Sequence, residues 1–203
     1  METNDERMAA YVAEGMINLS ANGSHVTEAD VFNALKFMSS LSKRAYERLQ
    51  LQFEEEQPSI CASLTYHIYH VYAPKDQVRE LRRIALVAWL TYKLKQPNLP
   101  TIAEADWGPA EDVSYLEDLA NLPHKQVLAL LMTMFAYRLN TPKIMETELG
   151  FLLFDLLTRI IVALDIVYLR SSVGCSYADA CYRVRADAKA NIEAGLELDT
   201  EGD

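Results

Sequence analysis

The chain has 203 residues, of which 50% are hydrophobic and 24% are charged, and its formal net charge at pH 7 is −10. This balance is typical of a globular protein and excludes a disordered chain. The excess of acidic residues argues against nucleic acid as a partner, because binding to phosphates requires a local excess of Lys and Arg. The length is enough for one sizeable core, so we interpret residues 1–203 as a single helical domain.

Glycine is scarce, with seven residues in the whole chain, and this favours helices over a turn-rich sandwich or barrel. The cysteines are odd in number and include no C-x-x-C pair, which indicates reduced thiols. The opening stretch METNDERMAAYV is acidic and has neither the basic nor the apolar region of a signal peptide. From these features we expect a cytoplasmic protein.

The first half of the chain is predicted to form four helices, because apolar residues recur three or four positions apart. Thr27 is placed to cap the second of them, and neither Pro nor Gly interrupts that helix before Pro58. We expect this long helix to pack along a bundle or to form a dimer interface. The segment after Pro58 is rich in β-branched and aromatic residues, so a strand is the alternative there. The predicted helices cover residues 5–19, 28–56, 58–73 and 76–96.

The second half begins with a long irregular connection, predicted over residues 97–112 and interrupted by Pro97, Pro100 and Pro109. Loops longer than about 12 residues in compact domains are often functional. The acidic tail at 197–203 is expected to be frayed. The predicted helices of this half cover residues 113–122, 123–139, 143–171 and a segment after 176.

The helix predicted at about 143–171 is the longest nearly continuous apolar segment, and we expect an all-α bundle of about seven or eight helices around it. Charges near its middle would each cost on the order of 2.5–3.5 kcal/mol in a bilayer, so we interpret it as a core helix and not a membrane span. Asp155 and Arg159 are four apart with the acid first, the favourable order for a helical ion pair. As an alternative, Glu148 and Asp155 would bind a divalent metal, since helical bundles build such sites from facing carboxylates.

The stretch ELGFLLFD, followed by a capping sequence and an Ala-rich helix, resembles the C-terminal half of the MazG-like all-α nucleotide pyrophosphohydrolases. The resemblance implies a magnesium-dependent enzyme whose ligands come from an E-E-x-x-E motif and a later E-x-x-D motif. This chain contains no E-E-x-x-E, and the positions that would complete the later motif are Phe151 and Leu152. Too few oxygen ligands remain for magnesium, so we expect no metal or other cofactor.

His67 and His70 are three residues apart, so a helix would place them on the same side, beside Tyr66, Tyr69 and Tyr72. Two histidines could supply half of a transition-metal site. No H-E-x-x-H or E-x-x-H pattern supplies further ligands, so we expect the histidines to be packed and hydrogen-bonded. The chain also lacks a Walker A loop, a G-x-G-x-x-G and a G-x-S-x-G motif, and no complete catalytic motif supports an enzyme.

The segment 104–118 is acidic and contains no basic residue. A tryptophan among acids in a proline-bounded loop is typical of a protein-binding hot spot, although it could equally plug the end of the bundle. We therefore predict a non-enzymatic protein that binds another protein, with self-association through the long helix at 28–56 as an option. The alternatives are a metal-dependent nucleotide phosphohydrolase and an acidic nucleic-acid mimic that inhibits a DNA- or RNA-binding protein. The candidate interaction residues are Glu104, Asp106, Trp107, Glu111 and Asp112.

Overall fold

The structure is a computed structural model that describes residues 3–13, 25–71, 75–107, 127, 130, 131, 133, 134, 137, 148–172 and 174. All regular elements in these ranges are helices, and the described residues contain no strand. The predicted all-α class is therefore confirmed. We number the helices of these ranges α1 (Asn4–Ala13), α2 (Glu28–Ser40), α3 (Lys43–Glu56), α4 (Pro58–Val71), α5 (Lys75–Lys95) and α6 (Glu148–Ser172).

The single helix predicted over 28–56 is wrong, because the chain leaves the helical conformation at Leu41 and Ser42 and forms α2 and α3 instead. Leu41 is extended, with φ −77° and ψ 138°, and the Ser42 hydroxyl accepts a hydrogen bond from the N–H three residues later. The hydroxyls of Ser39 and Ser40 donate to carbonyls of the preceding turn. Such side-chain hydrogen bonds compete with continuation of a helix, so the sequence SSLS ends α2 without Pro or Gly.

Helix α5 is the element against which the others pack, since it contacts α1, α2, α3, α4 and α6. Every residue from 84 to 95 is buried, so the C-terminal half of α5 is enclosed on all sides. The helix predicted at about 143–171 corresponds to α6, whose residues from 156 to 169 are buried apart from Arg159. The central position predicted for α6 is not confirmed, because α5 contacts more of the described helices.

The connection after α5 is held against the junction of α3 and α4. Gln57, at this junction, donates from Nε2 to the Pro100 carbonyl at 3.1 Å and accepts at Oε1 from the Ile102 N–H at 3.0 Å. Residues 104–107 are helical, so the connection predicted as irregular over 97–112 contains a helical turn in its described part. This turn is therefore tied to the helices and has a defined position.

The remaining described residues complete the core and the end of α6. Val127 and Leu131 are helical and buried, and Gly174 has a φ of 66°, the left-handed conformation that glycine commonly adopts after a helix. No helix in the ranges described combines the length and the apolar content that crossing a membrane requires. Among the predictions that lie outside the described residues are the helices at 113–122 and after 176 and the tail at 197–203; two of the three cysteines, Cys175 and Cys181, lie outside them as well.

Candidate functional site

Three charged side chains are completely buried where the start of α2 meets the C-terminal parts of α5 and α6. Asp30, Lys95 and Asp165 have no exposed side-chain surface. A buried charge is costly unless it is paired and hydrogen-bonded. Lys95 Nζ lies 3.6 Å from Asp30 Oδ2, so these two charges offset each other. We call the group formed with their neighbours the buried polar cluster; its members are His25, Asp30, Tyr92, Lys95, Asp165 and Tyr168.

Asp165 is held by two side chains from distant parts of the chain. His25 Nδ1 lies 2.9 Å from Asp165 Oδ2, and since a carboxylate only accepts, the imidazole donates this hydrogen bond. The Tyr92 hydroxyl donates to Asp165 Oδ1 at 3.3 Å. Burial raises the pKa of Tyr92 well above 10.0, and the negative charge of Asp165 raises it further. Tyr92 therefore remains a hydrogen-bond donor at neutral pH.

Lys95 joins the two carboxylates of the cluster to the segment before α2. Its ammonium donates to the His25 carbonyl at 3.3 Å and lies 5.3 Å from the centre of the Tyr168 ring, where a cation–π interaction is favourable. Burial lowers the pKa of Lys95 from its ordinary value, while the charges of Asp30 and Asp165 act in the opposite direction. The ammonium is thus compensated by carboxylates, a carbonyl and an aromatic face.

Asp30 also organises the start of α2. Its Oδ2 atom accepts hydrogen bonds from the Thr27 N–H at 2.9 Å and from the Thr27 hydroxyl at 3.0 Å. The predicted position of Thr27 as the N-cap of this helix is confirmed. In the pair of His25 with Asp165, the His25 side chain is 26% exposed and the Asp165 side chain is completely buried. The buried polar cluster therefore has a structural role, because its ion pairs and hydrogen bonds connect the start of α2 to α5 and α6.

A second region of interest is open to solvent. Between α2, α3 and α5 lies a cavity of about 610 Å³ that we call the α2 groove. Burial raises the pKa of the Tyr46 hydroxyl, an effect that Arg83 opposes and Glu80 reinforces. Two cationic side chains, Lys36 and Arg83, line this cavity together with three large apolar or aromatic ones, Leu35, Met38 and Tyr46. The lining residues are Leu35, Lys36, Met38, Ser39, Tyr46 and Arg83.

The outer face of α2 continues this groove. Phe32 is 56% exposed, and it precedes Leu35 by three residues and Ser39 by seven. Residues with this spacing are neighbours along one side of a helix. The opposite side of α2 contributes Val31, Ala34 and Phe37 to the core. Helix α2 therefore carries two apolar side chains on this side, the exposed Phe32 and the half-buried Leu35, followed by the polar Ser39.

The interaction residues predicted from the acidic segment have different environments. Asp106 is buried, and it accepts hydrogen bonds from Arg170 Nη1 at 3.0 Å and from the Ala103 N–H at 2.8 Å. The prediction that Asp106 contacts a partner is therefore wrong, because its carboxylate is used to connect α6 to the turn at 104–107. Trp107 is partly buried against the core, whereas Glu104 is exposed. The other two candidates, Glu111 and Asp112, lie outside the described residues.

The metal candidates receive no additional ligands in the described part of the chain. Asp155 forms the predicted ion pair with Arg159 at 2.9 Å. No three His, Cys, Asp or Glu side chains that the structure describes lie close enough together to bind a metal ion. Residues 58–71 are helical and not the alternative strand. The side chains of Glu148, His67 and His70 lie outside the described part.

Comparison of the chain with models of known families, with curated proteins and with solved structures gives no match. We therefore infer a function from the two regions above. The buried polar cluster is closed and satisfied by the chain itself, while the α2 groove presents its side chains to solvent. Of the two, the groove is the one that a ligand can enter.

Neither region was predicted from the sequence, although the sequence contains a signal for the buried polar cluster. Asp165 follows Ile161 by four residues and precedes Tyr168 by three, and all three are buried. An acid at this spacing within an apolar helix requires a partner inside the protein. Its partner His25 is 140 residues away in the sequence, so periodicity could not identify it. The α2 groove depends on the end of α2 at Leu41. It could not be predicted because neither Pro nor Gly marks that position in the sequence.

Proposed function

We propose that the chain is a non-enzymatic interaction protein that binds another protein through the outer face of α2. The observation that carries this proposal is the exposure of Phe32 on α2, three residues before Leu35, which lines the α2 groove. Scattered apolar residues are ordinary on protein surfaces. An aromatic side chain beside a concave, partly apolar surface is instead the arrangement of an interface hot spot.

The buried groups support the same proposal. The carboxylates of Asp30, Asp106 and Asp165 each form a hydrogen bond with a side chain of the same chain. Burial raises the pKa of the Cys61 thiol, Glu54 reinforces the effect and Arg82 opposes it, which disfavours the nucleophilic thiolate. These groups thus have structural roles in the described part of the chain.

Exchange of Phe32 for Glu tests the proposal. Affinity purification with quantitative mass spectrometry, using cells that produce the protein, should recover partners on the native chain that Phe32→Glu loses. The matched control is Leu51→Glu, because Leu51 is 57% exposed on α3 and is not among the residues that line the groove. For a partner then purified, we expect Phe32→Glu to weaken Kd by about tenfold or more and Leu51→Glu to leave it unchanged.

Identical partner sets and affinities for the two variants would contradict the assignment to α2. The acidic surface predicted from the sequence remains a proposal that now rests on Glu104, Glu111 and Asp112. Neutralising these three residues in the same purification tests that surface separately. Sedimentation velocity of the native chain and of Phe32→Glu shows whether the partner is a second copy, since only self-association would change the sedimentation of the isolated protein.

A further inference from the structure

We propose that the chain forms a symmetric homodimer in which α3 pairs antiparallel with α3 of a second copy. The proposal concerns the outer face of α3, on a different helix from Phe32, and it does not depend on the function proposed above. Three observations carry it: the exposure of this face, the order of its charges along the helix and the spacing of the residues that bear them.

The outer face of α3 is open to solvent. Leu51 is 57% exposed on it, while the opposite side of the helix is buried in the core. Arg44 and Glu55 form no ion pair with the residues that the structure describes, and Glu54 has only a 4.0 Å contact with the half-exposed Arg82. The charges of this face are therefore available to a second molecule. The exposed residues of α3 that bear charge are Lys43, Arg44, Glu47, Glu54 and Glu55.

The charges of α3 run opposite to the order that stabilises a helix by itself. Lys43 and Arg44 occupy the first turn, which contains no acidic residue. Glu54 and Glu55 lie in the last turn, which contains no basic residue. The helix dipole favours anions at the N-terminus and cations at the C-terminus, so this order brings no local benefit. An antiparallel copy of the same helix, in contrast, places each acidic end beside a basic end.

Arg44 and Glu55 have the spacing that a symmetric pair of helices requires. They are 11 residues apart, which is about three helical turns, so they lie on the same side of α3 and about 16 Å apart along it. A twofold axis midway between them brings each arginine to the glutamate of the other copy, where the two groups can form a bidentate pair. Lys43 then lies near Glu54 of the second copy. Parallel pairing would instead bring arginine to arginine.

The centre of the same side supplies an apolar contact. Leu51 follows Arg44 by seven residues and precedes Glu55 by four, so it lies on the stripe that connects them. The half-buried Arg48 is on this stripe too, and its aliphatic stem can cover Leu51 of the second copy. Helix α3 has 14 residues and is about 21 Å long. One pair of such helices is smaller than a standard interface, so we expect a weak dimer with a Kd on the order of 10–100 μM.

Exchange of the two charges tests the proposal on the isolated full chain. Sedimentation velocity at about 5 to 500 μM protein gives the Kd of the dimer. We expect Arg44→Glu and Glu55→Arg each to weaken this Kd by about tenfold or more, because each turns two attractive contacts into repulsive ones. The double variant Arg44→Glu/Glu55→Arg restores both contacts, so its Kd should return to within about threefold of the native value. An equimolar mixture of the two single variants should dimerise equally well.

The matched control is Lys36→Glu. Lys36 is exposed on α2, and its exchange alters the net charge by the same amount as Arg44→Glu, so the Kd of the dimer should stay within about twofold. Circular dichroism melting at the lowest protein concentration verifies that each variant is folded. Arg44→Glu and Glu55→Arg bring the charges into the order that the helix dipole favours, so neither should lower the Tm of the monomer.

The possible results separate this proposal from the function proposed above. A native chain that stays monomeric at the highest concentration would overturn the dimer, as would an unchanged Kd for Arg44→Glu. Failure of the double variant to restore the dimer, or its loss in Lys36→Glu, would also overturn it. Leu51→Glu should weaken the dimer and leave the partner recovered from cells bound, while Phe32→Glu should do the reverse. Either surface can therefore be contradicted without the other.

Discussion

The buried polar cluster and the α2 groove place similar side chains in contrasting surroundings. In the cluster, the Lys95 ammonium is fully buried, and the chain itself supplies a carboxylate at 3.6 Å and an aromatic ring. In the groove, Lys36 and Arg83 border a cavity that is open to solvent, next to Tyr46. The difference teaches that a cation and a tyrosine stabilise the fold when they are enclosed with their counter-charges. In the groove, the side chain of Lys36 is exposed to solvent, whereas Arg83 lies 3.5 Å from Glu80 and is only 19% exposed.

Replacement of Lys95 by Met is expected to have the largest effect on stability. It removes the ammonium and leaves the Asp30 carboxylate buried, which typically costs about 3–5 kcal/mol. Lys36→Met makes the same chemical change at the groove and should alter the free energy of unfolding by less than about 0.5 kcal/mol. Urea denaturation followed by circular dichroism measures both values.

The double variant Lys95→Met/Asp30→Asn provides the control for this prediction. It removes both charges of the pair, so we expect it to recover a large part of the stability that Lys95→Met loses. Equal losses for Lys95→Met and Lys36→Met would show that burial does not distinguish the two regions.

Replacement of His25 by Ala is expected to have an intermediate effect. It removes a hydrogen bond of 2.9 Å to the buried Asp165 carboxylate, and hydrogen bonds to charged groups are worth about 1.5–3 kcal/mol. The comparison at the surface is Arg82→Gln, because the Arg82 and Glu54 side chains are 49% and 52% exposed and their 4.0 Å ion pair should contribute at most about 1 kcal/mol. Chemical denaturation at neutral pH gives the two losses, and a larger loss for Arg82→Gln would reverse the comparison.

Replacement of Tyr92 by Phe is expected to have the smallest effect at neutral pH, about 0.5–1.5 kcal/mol for the lost hydrogen bond to Asp165. The variant should differ more clearly in alkali. The raised pKa of Tyr92 means that, above about pH 10, the unfolded chain releases a proton that the folded chain retains, so stability falls as pH rises. Tyr92→Phe lacks this group, and its stability should decline less steeply.

The lowered pKa of Lys95 acts in the opposite direction below its ordinary value of 10.5. There the unfolded chain retains a proton that the folded chain loses more readily, so this group favours folding as pH rises.

Tyr46→Phe is the matched variant in the groove. Burial raises the pKa of Tyr46 in the native chain, but Arg83 lowers it. We therefore expect Tyr46→Phe to change the dependence of stability on alkaline pH less than Tyr92→Phe does. Urea titrations from pH 7 to pH 11 test both; parallel curves for the native chain and Tyr92→Phe would contradict the role of Tyr92.

Local sequence rules succeeded where the partners are close in the chain. The ion pair of Asp155 with Arg159 and the cap at Thr27 follow from spacings of three or four residues, and both are present. The same rules failed at Leu41, where side-chain hydrogen bonds of neighbouring serines end α2 without a helix-breaking residue. They also failed at Asp106, because its acidic neighbourhood indicated an exposed surface while its partner Arg170 lies in α6.

The sequence by itself determined the helical class, since apolar periodicity and scarce glycine act locally on the backbone. It also contains a signal that was not used, since an acid such as Asp165 within an apolar helix needs a partner inside the protein. Only the tertiary structure decided which residue that partner is, which helix the others pack around and where a groove opens beside α2. These features depend on contacts between residues far apart in sequence, and such contacts leave no periodic signal.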